Sequence, residues 1–289
     1  MPYDFKFGSQ TAKGGFANEK DVVNKFNNWK SDSEAKNWLV IMGYDLKEVE
    51  DLLAVQVPVL IGANDLAKYN LSPNEIENMK FKKADIQVKI RLLIKIGGAI
   101  RFENLSLKKA NDTAGYNQID KRAVDSYKKM WGFDDDTAIA LKVYSGEYPP
   151  KDYQNFLKVD LNNLKDKERR RAFLTEIKDE YVDGILTFFE KNKIKIVCDL
   201  LKGRGGLSAN WMLVTKYNVP NDTTTWVLRD INEVLNFYGN GEVKISKRGS
   251  LHIGKITMQR KGGTPDPTKL QFKIDPNALF DLAGGEIDE

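Results

Sequence analysis

Three residues of types suited to catalysis, an aspartate, a serine and a lysine, fall on two alternating segments of the sequence. They are Asp85, Ser106 and Lys108. Apolar and polar residues alternate over 81–96 and again over 99–110, which is the two-residue period of β-strands. Gly97 and Gly98, between the segments, are a two-residue turn signal. The sequence therefore predicts a β-hairpin that carries all three residues.

The turn determines which residues of this hairpin meet. With a two-residue glycine turn, Gln87 lies opposite Lys108. Lys89 then lies opposite Ser106, and Asp85 is diagonal to Lys108. Strand alternation puts one polar set on a single face: Asp85, Gln87, Lys89, Ser106 and Lys108. The opposite face is predicted to be core, with Ile86, Val88, Ile90, Leu105 and Leu107.

This polar face fits a metal-dependent phosphodiesterase site, because neighbours across a ladder lie within about 5–8 Å of one another. Asp85 would hold Mg²⁺ at the scissile phosphate, and Lys108 would orient or help deprotonate the attacking water. The alternative is a solvated cross-strand ion pair without a function. Two further residues favour the site. Glu19 lies on the inward stripe of the first predicted helix, and Gln118 is predicted to open the helix after the hairpin.

The elements around the hairpin predict a mixed α/β protein. Helical spacing is found over 18–29, 33–53, 118–131 and 164–192, the last of which predicts a long connecting helix. From Ile194 onward, short apolar runs separated by Gly, Pro and Asn predict a mostly antiparallel sheet. The first of these runs, IKIVCDLL, is interpreted as a strand.

Composition excludes several other classes of site. Cys198 is the only cysteine and His252 the only histidine, so an internal disulfide, a Cys-rich zinc site and a multi-histidine metal site are excluded. No apolar run approaches the roughly 18 residues of a membrane span. The first residues, MPYDFKFGSQTAKGG, lack the apolar core of a signal peptide. We therefore expect a cytoplasmic protein.

Charge is distributed unevenly along the chain. Residues 1–190 contain 30 basic and 30 acidic residues, whereas 191–280 contain 15 basic and 7 acidic ones. A basic C-terminal region favours a polyanionic partner such as DNA, and a solvated basic surface is the alternative. Donors suited to bases or phosphates are predicted at strand ends and Gly-rich turns. They are Lys202, Arg204, Ser208, Asn210, Lys247, Arg248, Gln259, Arg260 and Lys261.

The order of these elements resembles the catalytic core of the PD-(D/E)XK nucleases, in particular the type II restriction endonucleases. The resemblance lies in a helix with an inward Glu19, strands with Ala84-Asp85 and Ser106-Leu107-Lys108, and the segment GYNQIDKR. The segments LKGRGGLSANWMLV, ISKRGSLHIGKITMQRKGG and LQFKIDP resemble the C-terminal recognition parts of bacterial restriction enzymes. The motif on the hairpin is short and would be weak evidence alone. The resemblance of the C-terminal segments adds support to it.

The resemblance implies roles for the site residues. Asp85 and Glu19 are expected to bind Mg²⁺, and Lys108 to serve the attacking water, with Ser106 and Gln118 beside them. Ala84 stands where the family has a proline, and Ser106 where it has an acidic residue. Because a hydroxyl is a weaker metal ligand than a carboxylate, we expect Glu19 or Gln87 to supply the missing ligand.

The resemblance also implies a fold, a function and partners. We expect a mixed-sheet PD-(D/E)XK nuclease core with helical connections over 1–185 and a β-rich DNA-recognition region over 186–289. The implied function is site-specific hydrolysis of double-stranded DNA with Mg²⁺, in the bacterial cytoplasm. A homodimer on a palindromic site and a cognate DNA methyltransferase are the implied partners, with no membrane. The alternatives are a non-catalytic sequence-specific DNA-binding protein and a structure-specific repair or RNA-processing nuclease.

Overall fold

The computed structural model describes residues 18–93, 98–110, 115–218, 223–260 and 268–283. Its helices are α1 (18–27), α2 (Ser33–Ile41), α3 (Val124–Trp131), α4 (Asp135–Ser145), α5 (Asp179–Lys191), α6 (Lys193–Leu201), α7 (Ile231–Gly239) and α8 (Ala278–Ala283). Its strands are β1 (Val49–Gln56), β2 (Ile86–Leu92), β3 (Ala99–Ala110), β4 (Asn117–Arg122), β5 (Trp211–Asn218), β6 (Thr223–Asp230), β7 (Val243–Ile245), β8 (Leu251–Ile253), β9 (Ile256–Arg260) and β10 (Leu270–Ile274). None of the helices in these described ranges is long and apolar enough to cross a membrane.

The chain forms two compact units, and neither is continuous in sequence. The first unit comprises 1–117, 201–234 and 275–289, and the second comprises 118–200 and 235–274. The chain therefore leaves the first unit and returns to it twice. The predicted boundary at residue 185 does not mark a change of unit, because the predicted recognition region over 186–289 contributes to both.

The first unit contains a five-stranded mixed sheet in the order β1-β2-β3-β5-β6 among the described residues. Neighbouring strands are antiparallel except β3 and β5, which run parallel. A parallel pair needs a crossover connection, and here the 100 residues from 111 to 210 separate the two strands. The mixed-sheet α/β fold predicted from the sequence is confirmed.

The β2–β3 hairpin has a different register from the predicted one. Ile86 pairs with Leu105 and Leu92 with Ala99, so the strands are joined by the six residues 93–98 rather than by two glycines. Gly97 lies outside the described residues. The longer loop moves the register by four positions, and an even shift leaves every side chain on its predicted face. Extending the ladder by one residue puts Asp85 directly opposite Ser106 and diagonal to Lys108.

Helices α1 and α2 cover the apolar face of this sheet. Val22 and Phe26 of α1 and Trp38 of α2 are buried there. They pack in one cluster with the strand residues Leu52, Ala54, Ile86, Val88, Ile90, Leu105, Leu107, Leu213 and Leu228. Burial of this area drives the association of the helices with the sheet. The predicted core face of the hairpin is confirmed.

The second unit has its own sheet and core. Its strands follow the order β4-β10-β9-β8-β7 in the part of the chain that is described. Tyr127 and Trp131 of α3 stack at 4.7 Å between ring centroids, and both make edge contacts with Phe272 of β10. Phe189 of α5 closes this aromatic cluster against Trp131. The core therefore joins two helices to one face of the sheet.

Four predicted elements are wrong. The run 49–53, predicted as helix, begins strand β1, and the run IKIVCDLL, predicted as a strand, is helix α6. The predicted long helix over 164–192 is helical only from Asp179. Gln118 lies in β4 rather than at a helix start. In the first two cases a short apolar run was compatible with both the helical and the strand period, and the tertiary fold decided between them.

Candidate active site

Asp85 is fixed by the backbone at the start of β2. Its N–H donates to the carbonyl of Leu105 at 2.8 Å, and its carbonyl accepts from the N–H of Val57 at 2.9 Å. The residue is thus held between β1 and β3 just before the regular strand begins. Its side chain turns to β3, where Oδ2 accepts from the N–H of Leu107 at 2.6 Å. These bonds leave the carboxylate little freedom to rotate away.

Lys108 and Ser106 lie on the same face of β3 as this carboxylate. The Lys108 ammonium donates to Ser106 Oγ at 3.0 Å and to the carbonyl of Leu107 at 2.8 Å. Its Nζ lies 3.6 Å from Asp85 Oδ2, with 16% of the lysine and 33% of the aspartate side chain exposed. Ser106 is buried and donates to Asp85 at 3.4 Å. The structure therefore brings together the three residues that the sequence singled out.

Glu19 of α1 belongs to the same electrostatic cluster. Its Oε2 accepts from Gln56 Nε2 at 3.3 Å, at the end of β1. Burial, followed by the negative charge of Asp85, raises the pKa of the Glu19 carboxyl above its ordinary value of 4.5. The Gln56 hydrogen bond and the charges of Lys108 and Lys82 act against this rise. Glu19 and Asp85 are thus close enough for their charges to repel.

Lys82 is a second cation of the cluster that the sequence analysis missed. Burial lowers the pKa of its ammonium group, and the carboxylates of Asp85 and Glu19 oppose that change. The lysine lies in the non-repetitive segment before β2, where no periodic pattern distinguishes it from its neighbours. Gln56 was missed for a related reason, because it lies three residues beyond the run over 33–53 that was interpreted as helix. No signal in a single sequence would have found either residue.

The oxygen donors of the site fit a hard divalent cation. Asp85 and Glu19 repel each other, and a cation bound by both carboxylates would remove that repulsion. The carbonyl of Leu107, which accepts from the Lys108 ammonium, and the hydroxyl of Ser106 are further oxygen ligands available in this cluster. Over the described ranges, no group of three or more His, Cys, Asp or Glu side chains is placed to hold a metal ion. Carbonyl groups and water would therefore complete the coordination of such a cation.

Gln87, considered above as a substitute ligand, takes part in a buried amide network. Its Nε2 donates to the carbonyl of Tyr69 and to Asn104 Oδ1, both at 3.2 Å. Asn104 Nδ2 donates in turn to the carbonyls of Gly206 and Ser208 at 2.9 Å. This network ties the two catalytic strands to the segment 202–210. Gln118, exposed in β4, belongs to the second compact unit.

The residues predicted to contact DNA are divided between the two units. Lys202, Arg204, Ser208 and Asn210 are half-buried residues of the first unit. Arg204 lies over the ring of Phe81 at 4.5 Å, and Asn210 Oδ1 accepts from the N–H of Asn104. In the second unit, Lys247 and Arg248 are exposed in the turn between β7 and β8, and Gln259 and Arg260 end β9. Lys261 lies outside the described residues.

Comparison with known proteins bears on both the fold and the site. The chain is similar to the crystal structure of restriction endonuclease MspI in complex with its cognate DNA, with a TM-score of 0.53 and 12% identity over 88% of this chain and 87% of that one. At this identity the likeness shows a shared fold. No curated protein sequence matches the chain at a significant level.

A family model provides the assignment. The model of the R.HinP1I restriction endonuclease matches residues 64–280, which is about three quarters of the chain. The match includes Asp85, Ser106 and Lys108 but not Glu19, whose place in the site depends on the geometry of α1. The predicted resemblance to restriction endonucleases is confirmed. The chain belongs to the R.HinP1I restriction endonuclease family and is a type II restriction endonuclease.

Proposed function

We propose that the protein hydrolyses double-stranded DNA at a specific sequence with Mg²⁺, using the cluster of Asp85, Ser106, Lys108 and Glu19. The single observation that carries the proposal is the convergence of Lys108 and Asp85 on adjacent strands, with their charged atoms 3.6 Å apart. Bound Mg²⁺ would polarise the scissile phosphate and lower the pKa of a coordinated water. Asp85 and Glu19 are its proposed ligands, with the carbonyl of Leu107 beside them.

The protein groups have separate tasks in this reaction. The Lys108 ammonium, held by Ser106 Oγ and the Leu107 carbonyl, is placed to orient the attacking water and to offset negative charge that develops on the phosphate. The Ser106 hydroxyl holds the Lys108 ammonium by a hydrogen bond. It occupies the position where related nucleases have an acidic metal ligand. The products would carry 5′-phosphate and 3′-hydroxyl ends.

DNA recognition and assembly extend the proposal. We propose that the predicted recognition residues other than the largely buried Arg260 contact the target, with arginine suited to guanine and lysines to phosphate. They are Lys202, Arg204, Ser208, Asn210, Lys247, Arg248, Gln259 and Lys261. A homodimer would place one active site at each strand of a palindromic target. A cognate methyltransferase would protect host DNA, and the bacterial cytoplasm, where that DNA is found, is the proposed compartment.

Digestion of a sequenced plasmid tests this function. The protein is incubated with plasmid DNA in Mg²⁺, and the ends of the products are mapped by sequencing. Discrete fragments that end at one recurrent sequence are expected. A smear without sequence preference would indicate a structure-specific nuclease, and intact DNA bound by the protein would indicate a non-catalytic DNA-binding protein. Either result contradicts the proposal.

Replacing Glu19 by Gln is expected to stabilise the metal-free protein while weakening its use of Mg²⁺. The raised pKa means that the fold disfavours the ionised carboxylate, so the penalty is absent below pH 4.5 and grows as pH rises through the folded-state pKa. At pH 7 without metal, the variant should melt about 1–2 °C above the parent, since the group is partly exposed. At pH 4 the two should melt together.

Two further measurements complete the Glu19 test. A titration of cleavage rate against Mg²⁺ should show a higher metal requirement for Glu19→Gln, by about 10-fold. Glu77→Gln, at an exposed position of the same unit, should change neither the melting temperature nor the Mg²⁺ requirement. Equal Mg²⁺ requirements for Glu19→Gln and the parent would remove Glu19 from the site.

A further inference from the structure

The segment 165–171, here named the basic loop, is an exposed run of charge in the second unit that the active site does not explain. Its sequence, KDKERRR, contains five basic and two acidic residues. Lys167, Glu168, Arg169 and Arg170 are exposed. Arg170 forms an ion pair with Glu168, and 60% of its side chain remains accessible to solvent. The segment was predicted to be helical, and the structure instead makes it an irregular loop.

A buried carboxylate holds the first residue of the basic loop and a residue just after its end. Glu176 is only 2% exposed. Its Oε1 accepts from the N–H of Lys165 at 2.6 Å, and its Oε2 accepts from the N–H of Phe173 at 2.7 Å. Hydrogen bonds of a charged acceptor to backbone donors are among the stronger ones in proteins. The loop is therefore held in a defined shape, which distinguishes it from a solvated charge run.

The backbone of the basic loop is strained at an exposed arginine. Arg169 has φ +52°, in the left-handed region that residues other than glycine seldom occupy. Its N–H donates to the carbonyl of Asp166 at 2.7 Å, which closes a tight turn. Such strain persists only where the surroundings impose it, and it is concentrated at functional sites. Here the left-handed conformation turns the chain at Arg169, the first of two consecutive exposed arginines.

Two neighbouring segments support the loop. Asp166 lies 4.0 Å from Arg260, whose side chain is only 10% exposed, so this predicted DNA contact lies beneath the loop. Burial, followed by the charge of Arg171, lowers the pKa of the Arg260 guanidinium. Gly146 closes α4 with φ +82°, and a Cβ there would lie 2.7 Å from the carbonyl of Arg170. The loop thus packs on the end of α4 with Arg260 under it.

The turn of Lys247 and Arg248 meets the far end of the loop. The carbonyl of Gly249 accepts from the N–H of Leu174 at 3.2 Å. A Cβ on Gly249 would lie 2.6 Å from Cβ of Phe173, so only glycine permits this approach. The two exposed basic residues of this turn and the basic loop therefore belong to one surface, which would attract a polyanion.

We propose that the basic loop binds the phosphate backbone of the DNA substrate through Arg169 and Arg170, with Lys247 and Arg248 extending the contact. The assignment rests on the proposed function. Guanidinium groups bind phosphate with paired hydrogen bonds, and an anchored loop loses little entropy when it does so. Arg260 supports this loop from below instead of reading a base.

A double variant, Arg169→Ala with Arg170→Ala, tests the proposal through the salt dependence of binding. Affinity for a cognate and a scrambled duplex is measured over a salt series with Ca²⁺ in place of Mg²⁺. Loss of two phosphate contacts should weaken binding to both duplexes about tenfold or more and reduce the slope of log affinity against log salt by about two. Because both side chains are exposed, the melting temperature should stay within about 2 °C of the parent's.

Two matched variants control for charge and chemistry. Lys191→Ala with Lys195→Ala removes the same charge from exposed positions of the same unit and should leave the slope unchanged. Arg169→Lys with Arg170→Lys keeps the charge and should restore the slope. Parental binding by the alanine variant would overturn the proposal. Loss confined to the cognate duplex would also overturn it, since the loop would then read bases.

The outcomes also separate this proposal from the proposed function. Plasmid cleavage by the parent is measured with the same protein preparation. If the parent cuts DNA and the alanine variant binds DNA as tightly as the parent does, only the loop assignment is overturned. A parent that neither cuts nor binds DNA would overturn the proposed function, and the loop assignment with it.

Discussion

Replacing Asp85 by Asn is expected to lower the rate of DNA cleavage by about a thousandfold or more, equivalent to about 4 kcal/mol in the activation barrier. Asp85 is the carboxylate that the backbone of β1 and β3 holds beside Lys108, and an amide cannot replace its charge toward a divalent cation. The amide oxygen can still accept from the N–H of Leu107, so the fold should persist. Single-turnover cleavage of a cognate duplex measures the loss.

Binding separates a catalytic loss from a structural one in this variant. With Ca²⁺ in place of Mg²⁺, Asp85→Asn should bind the cognate duplex at least as tightly as the parent, because one negative charge near the phosphate is removed. Asp51→Asn, at an exposed position of β1, should change neither cleavage nor binding. Parental cleavage by Asp85→Asn would remove the site assignment.

Lys108→Ala should cost far more activity than Ser106→Ala. The lysine supplies the positive charge that meets the phosphate, and we expect a loss of about 10²–10³-fold. Ser106 acts through the lysine, which donates to its hydroxyl at 3.0 Å, so its loss should cost about tenfold, or roughly 1.4 kcal/mol. Rates are compared under single-turnover conditions at saturating Mg²⁺.

Lys109→Ala is the matched control for this comparison. Lys109 is exposed, and strand alternation turns it to the other face of β3. Lys109→Ala removes one positive charge, as Lys108→Ala does, at the next residue of the strand. It should leave the cleavage rate unchanged. Similar losses for Ser106→Ala and Lys108→Ala would make Ser106 a direct metal ligand, contrary to its proposed role.

Strand periodicity predicted the face of the hairpin correctly and its register wrongly. Which face a residue occupies depends only on alternation, which is local and visible in 81–110. The register depends on the length of the loop, and Gly97-Gly98 suggested a turn four residues shorter than the observed one. Because the difference is even, Asp85, Ser106 and Lys108 still converge. A difference of one residue would have separated them.

The incorrectly assigned elements share a physical cause. Val49, Leu52 and Leu53 have helical spacing, yet pairing with β2 makes their segment a strand. In the run IKIVCDLL, buried positions such as Ile196, Val197 and Leu200 recur at helical intervals that an apolar stretch obscures. Lys82 and Gln56 join the site only through the tertiary fold. Local sequence therefore identifies the catalytic strands better than the groups that surround them.

The parallel pairing of β3 with β5 sets the moment during synthesis at which the sheet that carries the active site can be completed. The hundred residues between Ala110 and Trp211 must be translated before β3 acquires its second neighbour, which takes about 5–20 s at ordinary rates of elongation. Until then the catalytic strand is the open edge of a partial sheet. Pairing across so long a separation is also slow, because closing the loop costs entropy before any contact compensates. A ribosome-bound chain that already contains Asp85 and Lys108 therefore lacks the completed five-stranded sheet, and the catalytic strand gains its second neighbour only late in translation.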